Sequence, residues 1–431
     1  MDTKKYSKTL EKIVAFLVLF IAVIPLHAQN NQDNDYLEYS GVVVDASSER
    51  PLVFATLSVN ETNISTITNS DGEFSLKILK DMPDAVITIS YLGYMQKEIP
   101  VLEFTSENNS IKLKNATVAL NEVNLTLPKD AKTLVKTALK KRAENYVNQE
   151  VLMTAFYRET IKKRKKNASL AEAIVKIHKQ PYASSKKDNI ELFKARKSTD
   201  YKRLDTVALK LQGGPYNPLY IDLMKYPNYI FTKDMIDFYS FSFAPSTTIN
   251  GKIIFVVKFK QLNQIEEPLY YGKLFIDAET SALRSAIYNL NVENRILSSQ
   301  LFVRKKPKDI LVYPINAAYR VDYREKDGKW YYGYGNVHLT FKIKRKRKWF
   351  NSTYSLTSEM AVTNWEINTS NEKLKNKDKF KKSTIISDEI TGFSDPEFWG
   401  AYNVIEPEKS IESAINKIKR QLKKAEKNED S

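Results

Sequence analysis

Cysteine is absent from the 431-residue chain, and histidine occurs only three times. The lack of thiols excludes disulfides, thiolate catalysis and cysteine-ligated zinc or iron–sulfur sites. No His-Glu-x-x-His zinc motif, Gly-x-Ser-x-Gly nucleophile motif or phosphate-binding loop ending in Gly-Lys-Ser/Thr is present. We therefore expect no catalytic residue, no metal and no cofactor, and keep a hydrolase with a site assembled across the fold as the minor alternative.

Long apolar runs are also scarce. Ile13 to Leu26 is the one such stretch, and it follows Lys4, Lys5, Lys8 and Lys12. At about 14 residues it is short for a membrane span, which needs roughly 20, so residues 1–28 are predicted to be a secretory signal peptide that ends at Ala28. An uncleaved anchor is the alternative. We expect a flexible leader over residues 29–35, no transmembrane span in the mature chain, and a periplasmic or outer-membrane-associated location.

Acidic residues are outnumbered, with 51 Asp and Glu against 67 Lys and Arg, a formal net charge of +16. An exported protein does not meet genomic DNA, so nucleic acid is not an expected partner. Anionic lipid head groups, lipopolysaccharide phosphates, acidic glycans or another envelope protein are the expected counter-surfaces. The alternative is that the charge only keeps the protein soluble.

Residues 41–94 carry the most informative pattern. Gly41 and Asp45 bracket a β-branched run, Pro51 opens a second strand, Asp71-Gly72 is a hairpin signal, and Gly93 breaks a last run between two tyrosines. The pattern resembles the carboxypeptidase-regulatory-like domain, a transthyretin-like β-sandwich common in envelope proteins of Bacteroidota-type bacteria. We assign it residues 36–126, closed by a strand at 118–125. The resemblance implies an accessory module, since in that family the module is not the catalytic part.

Residues 129–369 are predicted to form a second domain, made of a helix and a larger antiparallel sheet. Apolar residues recur at helical spacing over residues 129–148. Between residues 318 and 324, Tyr319, Val321 and Tyr323 alternate with Arg320, Asp322 and Arg324, so one face is apolar and the other polar. The predicted fold is mainly β with flanking helices, a sandwich followed by a curved, open (α+β) sheet. Residues 180–247 give no clear signal.

The remaining chain, residues 370–431, is predicted to hold three pieces. A lysine-rich linker covers residues 370–383, an aromatic segment at 394–402 docks on the domain, and a helix spans Ser410 to Leu422. The helix at 129–148 and this C-terminal helix are the expected covers of the apolar sheet face.

The strongest cationic cluster marks the candidate binding site. It lies at the end of a predicted strand, where it would meet an anionic surface. A solvated hairpin tip whose charges discourage edge-to-edge aggregation is the alternative. The candidate residues are Lys342, Lys344, Arg345, Lys346, Arg347, Lys348 and Trp349.

Two functions fit these patterns. The first is a non-catalytic, exported envelope protein, with the sandwich as an interaction module and the larger sheet as a binding or scaffold domain. The second is a carrier of a lipid or other apolar ligand in the open curved sheet, which requires an apolar cavity of several hundred Å³, as is typical of ligand pockets.

Overall fold

The computed structural model describes residues 35–116, 130–164, 166–199, 212–232, 234–249, 251–304, 306–345, 351–370, 374–386 and 396–408. The predicted signal peptide, the closing strand at 118–125, the tip residues Lys346 to Trp349 and the C-terminal helix at 410–422 all lie outside these residues.

The N-terminal part is a β-sandwich of two small sheets. One sheet has the strand order β4-β1-β7 and the other β3-β2-β5-β6. Val43, Phe74 and Leu57 are fully buried at its centre. The strands are β1 Tyr36–Asp45, β2 Thr56–Val59, β3 Ser65–Ile67, β4 Glu73–Leu79, β5 Val86–Ser90, β6 Lys97–Pro100 and β7 Asn109–Leu113.

Asp45 explains much of the sequence pattern in this module. Its carboxylate accepts hydrogen bonds from the backbone of Ser48 at 2.6 Å, the hydroxyl of Tyr94 at 2.8 Å and the amide of Asn115 at 3.0 Å. The bonds from Ser48 and Tyr94 hold the pKa of Asp45 well below its usual range, the Ser48 backbone bond most of all. The carboxylate thus joins the start of the motif to its end.

Gly72 and the residue before it form a tight turn. Gly72 has a φ of +74°, which favours glycine. The side chain of Asn69 accepts hydrogen bonds from the backbones of Asp71 and Glu73, both at 2.9 Å. The turn prediction for Asp71 is confirmed.

The larger part is one sheet of ten antiparallel strands, which is not closed on itself. Its strand order is β10-β9-β8-β17-β16-β15-β14-β13-β12-β11. The predicted fold class is therefore confirmed. The strands are β8 Val151–Lys163, β9 Lys166–Lys179, β10 Asn189–Thr199, β11 Tyr239–Ile249, β12 Lys252–Gln261, β13 Tyr270–Asp277, β14 Leu283–Leu290, β15 Ile310–Lys326, β16 Lys329–Arg345 and β17 Ser352–Ile367.

Helices are few and short in the described parts of the chain. They are α1 Ala131–Lys140, α2 Arg142–Asn145, α3 Tyr216–Tyr220 and α4 Arg295–Phe302, with 3-10 turns at Val101–Glu103, Pro227–Tyr229, Met235–Phe238 and Pro396–Trp399. None of them is both long and apolar enough to cross a membrane.

The helix predicted over 129–148 is shorter than expected. Asp130 caps its start by accepting a hydrogen bond from the backbone of Thr133 at 2.7 Å. At the other end, Tyr146 leaves the helical path and forms a parallel β-bridge with Trp330. Pairing with the sheet therefore replaces the last predicted turn.

The inner face of the large sheet, which carries Tyr319, Val321 and Tyr323, packs into the main core. The alternation predicted for β15 is confirmed. The covering residues come from α1 and, above all, from residues 216–236, which gave no clear sequence signal. Leu219, Met224 and Phe231 of that segment are buried against the sheet.

The lysine-rich stretch at 370–383 is not a plain linker, which corrects the prediction. Phe380 lies in the core, and its backbone donates a hydrogen bond to Ile190 of β10 at 2.7 Å. Lys379 forms a β-bridge with Glu191 of the same strand. One buried aromatic side chain and edge pairing are enough to dock a segment whose composition is otherwise polar.

Candidate functional site

The outer face of the large sheet carries Arg320, Asp322 and Arg324 of β15, and the sandwich lies over this face. Arg324 donates hydrogen bonds to the Ser65 hydroxyl and to the carbonyl of Val362. Lys326 donates to the side chain of Asn63 at 2.8 Å. Phe54 packs on Tyr334 with ring centroids 5.0 Å apart. Sandwich and sheet therefore share an interface within one compact unit, residues 36–431.

A C-terminal strap, which we define as residues 396–408, crosses from the sandwich to the sheet. The Asn403 side chain accepts a hydrogen bond from the backbone N–H of Lys77 at 2.7 Å and donates one to its carbonyl at 3.0 Å. Trp399 is buried with Phe156 of β8, their rings meeting edge to face at 5.6 Å. Trp399, within the predicted aromatic segment, thus packs on the large sheet.

A buried ionic cluster fastens the strap to the sheet. Glu172 pairs with Arg158 at 2.8 Å and with Arg196 at 2.7 Å. Arg158 also donates to the carbonyl of Ile405 in the strap at 2.6 Å. Burial alone would raise the pKa of Glu172, but the two arginines lower it overall. The cluster is structural, because its charges are satisfied by the protein itself.

A second buried ionic cluster lies on the inner face. Lys179 is fully buried and bonds to Asp188 at 2.7 Å and to Asp222 at 2.6 Å. Burial favours the neutral amine, yet the two aspartates raise the pKa of Lys179 overall. Tyr182 and Tyr323 donate hydrogen bonds to Asp222. Since every member has a partner, the cluster stabilises the core rather than offering a reactive group.

Among the described residues, the inner face holds a small space for an apolar ligand. One cavity of about 190 Å³ lies between residues 220–230 and strands β13 to β15. The carrier hypothesis requires several hundred Å³, and side chains of the protein itself fill most of this face. The cavity walls are Tyr220, Ile221, Leu223, Tyr229, Ile230, Tyr270, Tyr288 and Tyr319.

The predicted cationic site lies at one end of the large sheet. Lys342, Lys344 and Arg345 form the end of β16, whereas Lys346, Arg347, Lys348 and Trp349 lie outside the described residues. Two strands away, the turn between β8 and β9 contributes further cations. Tyr354 of β17 links the two groups, since it pairs with Lys163 on one side and Phe341 on the other. The second group consists of Lys162, Lys163, Arg164 and Lys166.

Exposed apolar side chains lie beside these cations. Leu311 of β15 is 53% exposed and is the register partner of Lys344. Helix α4 packs along the same part of the sheet, with Phe302 against Phe341 at 5.7 Å. Its outward residues Ile296 and Leu301 are 74% and 60% exposed. No sequence pattern predicts this apolar part, because α4 is too short to show a clear helical period.

A cleft between sandwich and sheet was also not predicted. It encloses about 530 Å³. We name it the sandwich cleft, bounded by Phe54, Ser58, Asn60, Thr88, Ser90 and Gln96 of the sandwich and Arg320, Asp322, Arg324, Lys326, Tyr331 and Trp365 of the sheet. The alternation in β15 placed its three charged residues on one face, but it carried no sign that another domain covers that face.

The two arginines at the cleft floor differ in whether they have a bonded counter-charge. Arg320 pairs with Asp322 at 2.6 Å. Arg324 forms no ion pair among the described residues, and its Nη2 atom is buried without a hydrogen-bond partner there. Burial lowers the pKa of Arg324 to about 10, with Asp322 opposing the shift. At neutral pH the cleft therefore holds a guanidinium charge that lacks a bonded counter-charge.

The two described histidines do not form a reactive site with one another. His338 lies on β16, where its Nδ1 atom is 2.9 Å from the Thr357 hydroxyl oxygen. His178 lies 3.8 Å from Glu191. Burial lowers the pKa of both imidazoles. Over the described part of the chain, no group of three or more His, Asp or Glu side chains is placed to hold a metal ion.

Comparison with known proteins agrees with the N-terminal assignment. Residues 39–125 match the family described as the CarboxypepD_reg-like domain, which covers only a segment of the chain. The predicted resemblance is thus confirmed for the sandwich. No curated protein matches the chain.

Three solved structures are distantly similar to the chain. A DUF1329 family protein from Desulfovibrio piger is 10% identical, with a TM-score of 0.24, over 57% of this chain and 96% of that one. Lipovitellin is 7% identical, with a TM-score of 0.27, over 59% of this chain and 28% of that one. A 9R-lipoxygenase from Cyanothece is 12% identical, with a TM-score of 0.15, over 47% and 51%. These identities and TM-scores are too low to assign a function.

Proposed function

We propose that the protein is a non-catalytic, exported protein of the cell envelope whose large sheet docks on an anionic membrane surface. The observation that carries this proposal is the convergence of cations and exposed apolar side chains at one end of the sheet. We name this surface the basic end, and its described members are Lys162, Lys163, Arg164, Lys166, Lys342, Lys344, Arg345, Ile296, Leu301 and Leu311.

Charge supports the proposal. The basic end has seven cations in its described part. One of them, Lys162, pairs with Glu408 of the strap at 3.2 Å. Each Lys or Arg near an anionic lipid surface contributes about 1 kcal/mol to binding. The end would therefore be attracted to phosphate head groups strongly enough to hold the protein at a membrane.

The apolar residues support a membrane rather than a soluble polyanion. Ile296, Leu301 and Leu311 expose most of their side chains to water, although burial would be favourable by about 1.5–3 kcal/mol for each such side chain. An interface between head groups and acyl chains accepts both kinds of group, with apolar residues inserted and cations at the phosphates. Export itself rests on the pattern of residues 1–28, which lies outside the described part.

Sedimentation with lipid vesicles tests the proposal. The protein without residues 1–28 is mixed with vesicles of phosphatidylglycerol and phosphatidylcholine, and with phosphatidylcholine alone. We expect binding to the anionic vesicles that weakens steeply as salt is raised. Changing Lys344 and Arg345 to Ser should weaken binding about tenfold or more, at about 1 kcal/mol for each charge.

A second pair of variants separates the apolar contribution from the charge. Ile296→Ser with Leu301→Ser should weaken binding while leaving its salt dependence unchanged. Leu102→Ser is the matched control, because Leu102 is 76% exposed on the sandwich, away from the basic end. Equal binding by the charge variant and the unchanged protein would contradict the proposal.

A further inference from the structure

We propose that the sandwich cleft binds an anionic saccharide, a sugar that carries a carboxylate or phosphate group. This site is distinct from the basic end, and neither proposal depends on the other. The cleft has the volume of a ligand site, since its 530 Å³ falls within the roughly 300–1,000 Å³ typical of small-molecule pockets.

Arg324 supplies the anion preference. Its Nη1 atom is held by the Ser65 hydroxyl and the Val362 carbonyl, so the guanidinium is fixed in place. Gly333 makes room for it, because a Cβ there would lie 2.9 Å from the Arg324 Cγ. A fixed guanidinium without a bonded carboxylate favours a carboxylate or phosphate ligand, whose charge would offset the cost of its burial.

The cleft lining holds four cations and four carboxylates, but each carboxylate is either paired or exposed. Asp322 forms an ion pair with Arg320, and Glu325 forms one with Lys252 at 3.0 Å. Glu61 and Asp327 are exposed at the rim, where water screens them. Lys326 stands beside Arg324 on the same strand and adds a second cation.

The walls fit a sugar. The sandwich side offers hydroxyl and amide groups, those of Ser58, Thr88, Ser90 and Gln96, each able to donate and to accept hydrogen bonds. The sheet side offers the ring of Trp365, which stacks on Tyr331 with centroids 3.9 Å apart and has the Lys326 ammonium 5.6 Å from its centroid. A sugar ring has polar edges and apolar faces, so this combination suits it better than it suits a purely apolar ligand.

Titration calorimetry with defined probes tests the inference. The probes are trigalacturonate, its neutral methyl ester, glucose 6-phosphate and glucose. We expect binding of trigalacturonate or glucose 6-phosphate and at least tenfold weaker binding of the neutral counterpart, as the loss of one charge-assisted hydrogen bond predicts. Binding of only one anionic probe would identify the group as a carboxylate or as a phosphate.

Three variants locate the binding. Arg324→Gln should weaken binding of the anionic probe about tenfold. Ser58→Trp leaves Arg324 in place and fills the cleft from the sandwich side, so it should abolish binding. This variant keeps the inference testable even if Arg324→Gln does not fold. Arg50→Gln removes an exposed sandwich cation outside the cleft and should change nothing.

Two results would overturn the inference. One is the absence of binding of both anionic probes at millimolar concentration. The other is binding that survives both Arg324→Gln and Ser58→Trp in folded protein. Vesicle sedimentation of the same variants should be unchanged, so failure here is distinguishable from failure of the membrane proposal.

Discussion

Two regions of the outer face of the large sheet are covered by other parts of the chain, and both hold an arginine, Arg158 buried and Arg324 half-buried. Under the strap, Arg158 is bonded to Glu172 and to the Ile405 carbonyl. Under the sandwich, Arg324 is bonded only to neutral oxygens, those of Ser65 and Val362. The same residue type on the same face thus has a bonded counter-charge in one region and none in the other.

The difference separates a structural contact from a candidate ligand site. A buried cation without a partner is costly, so a fold that needs only stability compensates it internally. The strap region does so through Glu172. The sandwich region leaves both a cavity and a charge, which is the arrangement expected where an external anion supplies the missing partner.

Removal of Glu172 should produce the largest effect. Glu172→Gln leaves Arg158 and Arg196 buried without their shared carboxylate, and breaking a buried pair in this way costs about 3–5 kcal/mol. Urea denaturation at pH 7 measures the loss as a lower midpoint. The strap should also be released, because Arg158 no longer has a fixed orientation toward Ile405.

Glu266→Gln serves as the control for that change. Glu266 is exposed on the loop between β12 and β13, so its loss should alter the free energy of unfolding by about 0.5 kcal/mol or less. If both variants unfold at the same urea concentration, the strap cluster is not the stabilising contact that we infer.

The sequence predicted both regions only in part. Alternation in β15 correctly separated Tyr319, Val321 and Tyr323 from Arg320, Asp322 and Arg324, because side chains of a strand point to opposite sides. The pattern describes polarity on each face, however, and not what covers it. Asn63 and Ser65 contact that face from about 260 positions earlier in the chain, and no local pattern encodes such a pairing.

Covering segments were hardest to predict for the same reason. Leu219, Met224 and Phe231 are buried, but they lie in irregular chain with short helical turns, where apolar residues follow no period. Phe380 is surrounded in the sequence by lysines, and this composition predicts a linker. The aromatic segment around Trp399 is predicted to dock, because leaving several large rings exposed to water is unfavourable. The predicted cations Lys342, Lys344 and Arg345 lie on a strand end, as their alternation indicated.

Acid should weaken the strap region through Glu172. Its pKa in the folded protein lies below the 4.5 of an unperturbed glutamate, so the unfolded chain binds more protons between these two values. The stability that the charged carboxylate contributes is therefore complete above about pH 4.5 and is lost as the pH falls through the folded pKa. Urea midpoints measured from pH 6 to pH 3 should fall more steeply for the unchanged protein than for Glu172→Gln. A parallel fall in both would show that other carboxylates dominate.

The smallest effect is expected at Arg324, and it tests the comparison most directly. Arg324→Met removes two hydrogen bonds, each contributing about 1 kcal/mol, but it also removes a half-buried charge that lacks a bonded carboxylate. These terms oppose each other, so we expect the free energy of unfolding to change by about 1 kcal/mol or less.

Arg158→Met is the matched variant and should cost about 3–5 kcal/mol, because it leaves Glu172 without its Arg158 bonds. Equal losses in the two variants would mean that Arg324 is as structurally compensated as Arg158, and the distinction between strap and cleft would fail. A small loss at Arg324 together with a large one at Arg158 would show that the fold does not depend on the Arg324 charge, which is then available to a ligand.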